Sequence, residues 1–137
     1  MEVTLNVNLL AVFVAAITSM VVGGFWYSPL LFGNVWMKLS GVNEKQVEEA
    51  KKKGMAKNYV GTFIGCLVMA LVLANFVAGS TVFEGLQTGF WLWLGFIATV
   101  MLSTILWEGK TVKLYLLKVL HELVTVLIMT AILSAWH

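Results

Sequence analysis

Lys118, His121, Glu122 and Thr125 lie within an otherwise apolar stretch at spacings of three and four, which puts them on one face of a helix. An imidazole titrates near pH ~6.5, and a carboxylate beside it can relay or balance its proton. His121 and Glu122 are therefore candidates for a proton or small-ion path. Lys118 stands one turn before Glu122, placed to pair with it or to extend its amine toward the membrane surface. Glu108, in the turn Glu108-Gly109-Lys110, sets another carboxylate at the entrance to the same stretch, and Asn75 extends the polar line at the far end. The competing reading is a closed network that only fixes helix register and assembly. His121 and Glu122 are also neighbours in sequence, leaving a helix about 100° apart, so they need not share one cavity. No catalytic or metal site is expected, and no cofactor. His121, Glu122, Glu108 and His137 lack a His-Glu-x-x-His spacing, and no Ser, Cys or Thr sits in a nucleophile motif.

The elements that must carry these groups follow from composition. The chain has 137 residues, 60% of them hydrophobic and only 12% charged, with a mean hydropathy of +0.90. A small soluble domain buries only ~60–70% of its unfolded surface, so this much apolar surface demands a lipid bilayer as partner. Four stretches approach the ~20 apolar residues that cross a bilayer: about 5–27, 59–78, 86–107 and 112–136. The expected fold is a single all-α transmembrane domain, an integral membrane four-helix bundle, with an amphipathic segment over 28–58 at the cytoplasmic interface.

Loop charge sets the orientation. Lys38, Lys45, Lys51, Lys52, Lys53 and Lys57 occupy the first loop, and Lys110 and Lys113 the third. The positive-inside bias makes both loops cytoplasmic and both termini external, in a plasma or inner membrane. An even number of spans agrees. The start, Met1-Glu2-Val3-Thr4, lacks a basic n-region, so no cleavable leader is expected. All nine cationic side chains are lysine. Without the bidentate guanidinium fork, phosphate recognition and nucleic acid binding are poor readings. The Lys51-Lys52-Lys53 run can hold anionic lipid headgroups, although a topology signal explains it more simply. Cys66 is the one cysteine and reads as a small packing residue.

Local signals fill in the rest. Trp26, Tyr27 and Trp36 suit an interfacial aromatic belt, and Pro29 breaks the first helix at Ser28. Leu30 to Leu39 follows as a short interfacial helix. Asn43 with Gln46, and Thr81 with Glu84, fit capping boxes. Small residues recur at four-residue spacing in Ala11, Ala15, Ser19 and Gly23, in Gly61 and Gly65, and in Gly85 and Gly89. Such rows serve intrachain packing first and contacts between copies of the chain second. Four helices enclose little space for an aqueous path, so a homo-oligomer is expected.

The motifs Phe25-Trp26-Tyr27-Ser28-Pro29-Leu30-Leu31-Phe32-Gly33 with Trp36, Leu39-Ser40-Gly41, Phe83-Glu84-Gly85, Leu92-Trp93-Leu94-Gly95-Phe96 and Leu106-Trp107-Glu108-Gly109-Lys110, with His121 in the last span, carry a likeness. Along essentially its whole length the chain resembles the domain-of-unknown-function 1761 family of small four-span prokaryotic membrane proteins. The resemblance implies a compact four-helix membrane domain and brings no established activity. Tyr27, Pro29, Glu108, Lys110 and His121 carry over as motif positions of unknown role; Glu122 is not among them. The leading functional reading is an oligomeric channel or transporter for protons or a small ion. Its rival is a non-transporting scaffold or accessory subunit. A lipid-modifying enzyme comes third and requires a polar cavity at headgroup level near Glu108 and Tyr27.

Overall fold

A computed structural model describes residues 4–137. Met1 to Val3, on which the expectation about a leader partly rests, lie outside the described residues. Among those described there are helices and no strand. Four helices are long and apolar enough to cross a membrane: α1 (Leu9–Trp26), α4 (Ala56–Val77), α5 (Val82–Leu106) and α6 (Val112–Ala135). Two shorter helices, α2 (Gly33–Ser40) and α3 (Glu44–Lys53), lie between α1 and α4. The chain is an all-α membrane bundle. Its outward faces carry Leu10, Phe13, Ile17 and Val21 on α1 and Val60, Ile64 and Val68 on α4. That surface suits acyl chains and would be untenable in water.

Caps decide where the helices begin. The apolar stretch predicted from Leu5 becomes helical only at Leu9, because the Asn8 side chain accepts from the Ala11 amide at 3.2 Å and acts as the N-cap. Asn43 with Gln46 and Thr81 with Glu84 form the two expected capping boxes. Thr81 thereby starts α5 at Val82, four residues before the hydropathy pattern alone would. The turn after Trp26 is closed by Phe32 donating to the Trp26 carbonyl at 3.0 Å and Gly33 to that of Ser28 at 2.8 Å. It delays the interfacial helix to Gly33. A left-handed Gly41, at φ +77°, ends α2.

The central element is α6, which packs against the other three spans and against α2. Of its most apolar window 39% is buried, against 17% for α5. Close approach to α5 rests on glycine: a Cβ at Gly85 would lie 2.6 Å from Ser134 Oγ, and one at Gly89 2.8 Å from Thr130 Oγ1. On α1, Ala11, Ala15 and Ser19 form a buried row, continued on α4 by Ala70 and Ala74. These small-residue rows serve packing within the chain. Gly61 and Gly65 do not, since a Cβ on either would meet nothing within 4 Å. Hydroxyls in the seams bond back along their own helix, Ser19 to Ala15 at 2.9 Å and Ser134 to Thr130 at 2.6 Å. Helices thus pack closely without stranding polar groups in an apolar interior.

Helix α5 is not uniform. From Trp93 to Ala98 it widens into a π-helical segment. A π-turn disturbs the regular ladder, and neighbouring side chains use the carbonyls there. Tyr115 donates its hydroxyl to Ala98 O at 2.7 Å, and Thr99 to Gly95 O at 2.7 Å. The Trp93 indole crosses the other way, to Val119 O at 2.9 Å. Trp93 is thus a buried tie between α5 and α6.

Candidate functional site

At the lysine-bearing end, α1, α4 and α6 part beneath the α2–α3 segment and leave a cavity of about 910 Å³. No α5 residue lines it. The floor is set by Ser19 and Thr125, both buried. Beyond them, toward the termini, the interior is the closed seam of Ala11, Ala15, Ala70, Ala74, Val126 and Met129. The cavity is therefore one-sided. Its outer wall carries exposed residues, among them Gln46 and Lys51 on α3 and Tyr59 and Thr62 on α4.

His121 and Glu122 both line it. Their exits from α6 differ, but the imidazole and carboxylate turn toward each other, Nδ1 to Oε1 at 3.7 Å, with 14% and 32% of each side chain exposed. The ring is held from three directions. Thr125 Oγ1 lies 3.4 Å from Nε2, Tyr27 packs edge-on at a centroid distance of 5.1 Å, and Trp26 sits at 5.8 Å. Gly23 leaves the space the ring occupies, since a Cβ there would approach Nε2 to 3.3 Å. The small-residue row on α1 thus ends in a seat for the histidine. Tyr27 in turn packs at 6.2 Å against Trp36 of α2, and Trp26 at 4.6 Å against Phe32. Among the described residues the Trp26 Nε1 is a buried donor without a protein acceptor. The aromatic-Pro motif is therefore one wall of the site as well as an interfacial belt, and Pro29 belongs to its lining.

Four candidates fall elsewhere. Lys118 neither lines the cavity nor forms an ion pair with Glu122 among the described residues, because the carboxylate is turned to His121 instead. Glu108 and Lys110 are exposed in the turn between α5 and α6, with the Lys110 amide donating to Thr104 O at 3.0 Å. A left-handed Gly109 at φ +69° shapes that turn. Because α5 contributes nothing to the cavity, its end cannot extend the His121 network. Asn75 is occupied at the opposite end. Its Oδ1 accepts from the Thr4 amide at 2.9 Å, and its Nδ2 donates to Thr4 O at 3.1 Å and Leu71 O at 2.9 Å. It holds the segment before α1 against α4.

Several wall residues had no sequence signal. Cys66, read as packing, faces the cavity together with Met20, Met37, Met55 and Met69. No pattern separates a lining methionine from a core one. The Lys51-Lys52-Lys53 run contributes Lys51 to the rim, while all three remain exposed. No group of three or more His, Cys, Asp or Glu side chains placed to hold a metal ion occurs among the described residues.

Neither a curated protein nor a solved structure matches the chain. Residues 10–134 match the family described as Protein of unknown function (DUF1761). That stretch runs from the first turn of α1 to the last turn of α6 and takes in every wall of the cavity and all four apolar spans, so the chain belongs to this family.

Proposed function

We propose that the protein is a membrane carrier in which His121 and Glu122 handle protons at a cavity open on one side at a time. The observation that supports this most is the one-sided cavity of about 910 Å³ with that pair on its wall. A continuous pore needs a polar path through the whole bundle, and the buried alanine seam beyond Ser19 and Thr125 closes this one. Alternating exposure of a mid-membrane site is how carriers work, and ionisable groups at membrane depth are costly enough to mark such sites. The lysine end would face the cytoplasm by the positive-inside bias, with Lys51 to Lys53 near anionic headgroups. A second copy of the chain would supply lateral support, and Gly61 leaves α4 open to one, whereas Gly65 faces the cavity.

One observation favours the scaffold reading for part of the molecule. The polar groups near the termini, Asn75 above all, are spent on internal hydrogen bonds. The enzyme reading loses one of its two required neighbours, since Glu108 lies away from the cavity that Tyr27 lines.

Flux in reconstituted vesicles tests the carrier reading. An imposed pH gradient is expected to drive solute movement, and His121→Ala to slow it by roughly ten-fold, the equivalent of ~1.4 kcal/mol. Unchanged flux with weakened detergent-resistant assembly would favour the scaffold.

A further inference from the structure

The chemistry of the cavity wall selects a cargo. A volume of about 910 Å³ lies near the top of the ~300–1,000 Å³ typical of organic-ligand sites. A bare inorganic cation needs oxygen ligands at ~2–2.6 Å on several sides, and one carboxylate in so wide a space does not provide them. Four of the chain's seven methionines line the cavity. Their flexible thioethers accommodate apolar bodies of differing shape.

Charge is distributed unevenly over that lining. Glu122 is its one carboxylate, two-thirds screened from solvent and set beside His121, Tyr27 and Cys66. Lys51 is its one ammonium and stands exposed on α3, at the rim. Tyr27, Trp36 and Tyr59 add aromatic faces, and Tyr27 and Trp36 meet at an interplanar angle of 75°, so their π-systems present different directions to the same space. Aromatic faces attract a poorly hydrated cation, by ~0.5–2 kcal/mol each. An anion drawn in past Lys51 would instead meet the carboxylate.

We propose that the cavity binds a lipophilic organic cation, an amine or onium centre carried on an apolar body, with the positive centre beside Glu122 and the body among the methionines. This names the cargo of the carrier described above. It rests on that reading for passage across the membrane but not for binding.

The test uses two ions of one shape and opposite charge, tetraphenylphosphonium and tetraphenylborate. Binding to the purified full chain in uncharged detergent is measured by equilibrium dialysis against protein-free micelles. Wild type is expected to hold the phosphonium at least roughly ten-fold more tightly than the borate, and Glu122→Gln to lose at least that preference with its helical circular dichroism unchanged. Glu108→Gln, the same change at an exposed carboxylate outside the lining, should leave the preference in place. Equal or tighter binding of the borate by wild type overturns the proposal, and needs no variant to fold. So does a phosphonium preference that survives in Glu122→Gln. Selective phosphonium binding without flux in vesicles would sink the carrier reading and uphold the ligand class. Proton-driven flux without charge preference would do the reverse.

Discussion

Glu122→Gln is expected to reduce pH-driven flux in reconstituted vesicles by roughly 30- to 100-fold, while Glu108→Gln leaves it within about two-fold of wild type. The contrast follows from position. Glu122 lines the cavity at 3.7 Å from His121 with 32% of its side chain exposed, whereas Glu108 sits exposed in a turn that contributes nothing to the lining. A contact with a charged group in a partly buried site contributes about 2–3 kcal/mol, and each 1.4 kcal/mol is ten-fold. An exposed carboxylate contributes far less because water screens it. Glutamine preserves shape and removes both charge and titration, so packing changes stay small. Initial rates over several imposed gradients, normalised to reconstituted protein, read the effect. Equal losses in the two variants would mean that the carboxylates act through net charge and not through the cavity.

The second large effect is structural. Gly33→Ala should destabilise the fold by about 3 kcal/mol or more, and Gly24→Ala by nothing measurable. A Cβ at Gly33 would stand 2.5 Å from the Tyr27 carbonyl oxygen and 2.7 Å from the Ser28 carbonyl carbon and oxygen. Overpacking against mobile side chains typically costs ~1–3 kcal/mol, and here the obstacles are backbone atoms that cannot rotate away. The same turn holds the Gly33 N–H to Ser28 O bond at 2.8 Å, so it would have to open. Tyr27 and Trp36 stand on either side of it, and the wall they form against His121 would move with it. At Gly24 a Cβ meets nothing within 4 Å, and alanine favours helix by ~0.5–1 kcal/mol over glycine. Unfolding of the two purified variants by denaturing detergent, followed by circular dichroism, separates the cases.

What was legible in the sequence was what is local. The capping boxes at Asn43 and Thr81 are written in four consecutive residues each, and the structure forms both. The four spans follow from length and hydropathy, which a bilayer enforces with little help from tertiary contacts. Helical spacing brought His121, Glu122 and Thr125 to one cavity. It failed for Lys118, because periodicity fixes a direction from the helix axis and says nothing of which partner a carboxylate turns to. Glu108 and Asn75 were grouped with the site by polarity alone, and polarity does not reveal which helices diverge. The small-residue rows show the same limit. Gly85 and Gly89 are filled by α6 while Gly61 and Gly65 face open space, though their spacing is identical. Methionine has no positional signature, so the four on the cavity wall emerged only when the helices were assembled.

The most direct test of the one-sided cavity uses the chain's own single cysteine, Cys66, on its wall. A water-soluble, membrane-impermeant maleimide is applied to sealed vesicles of either orientation, with denatured protein reporting total thiol. Cys66 is expected to be labelled from the lysine-loop side in strong preference to the other, and tetraphenylphosphonium to slow the labelling. Equal labelling from both sides, or none from the lysine side while the denatured thiol reacts fully, would contradict the one-sided cavity.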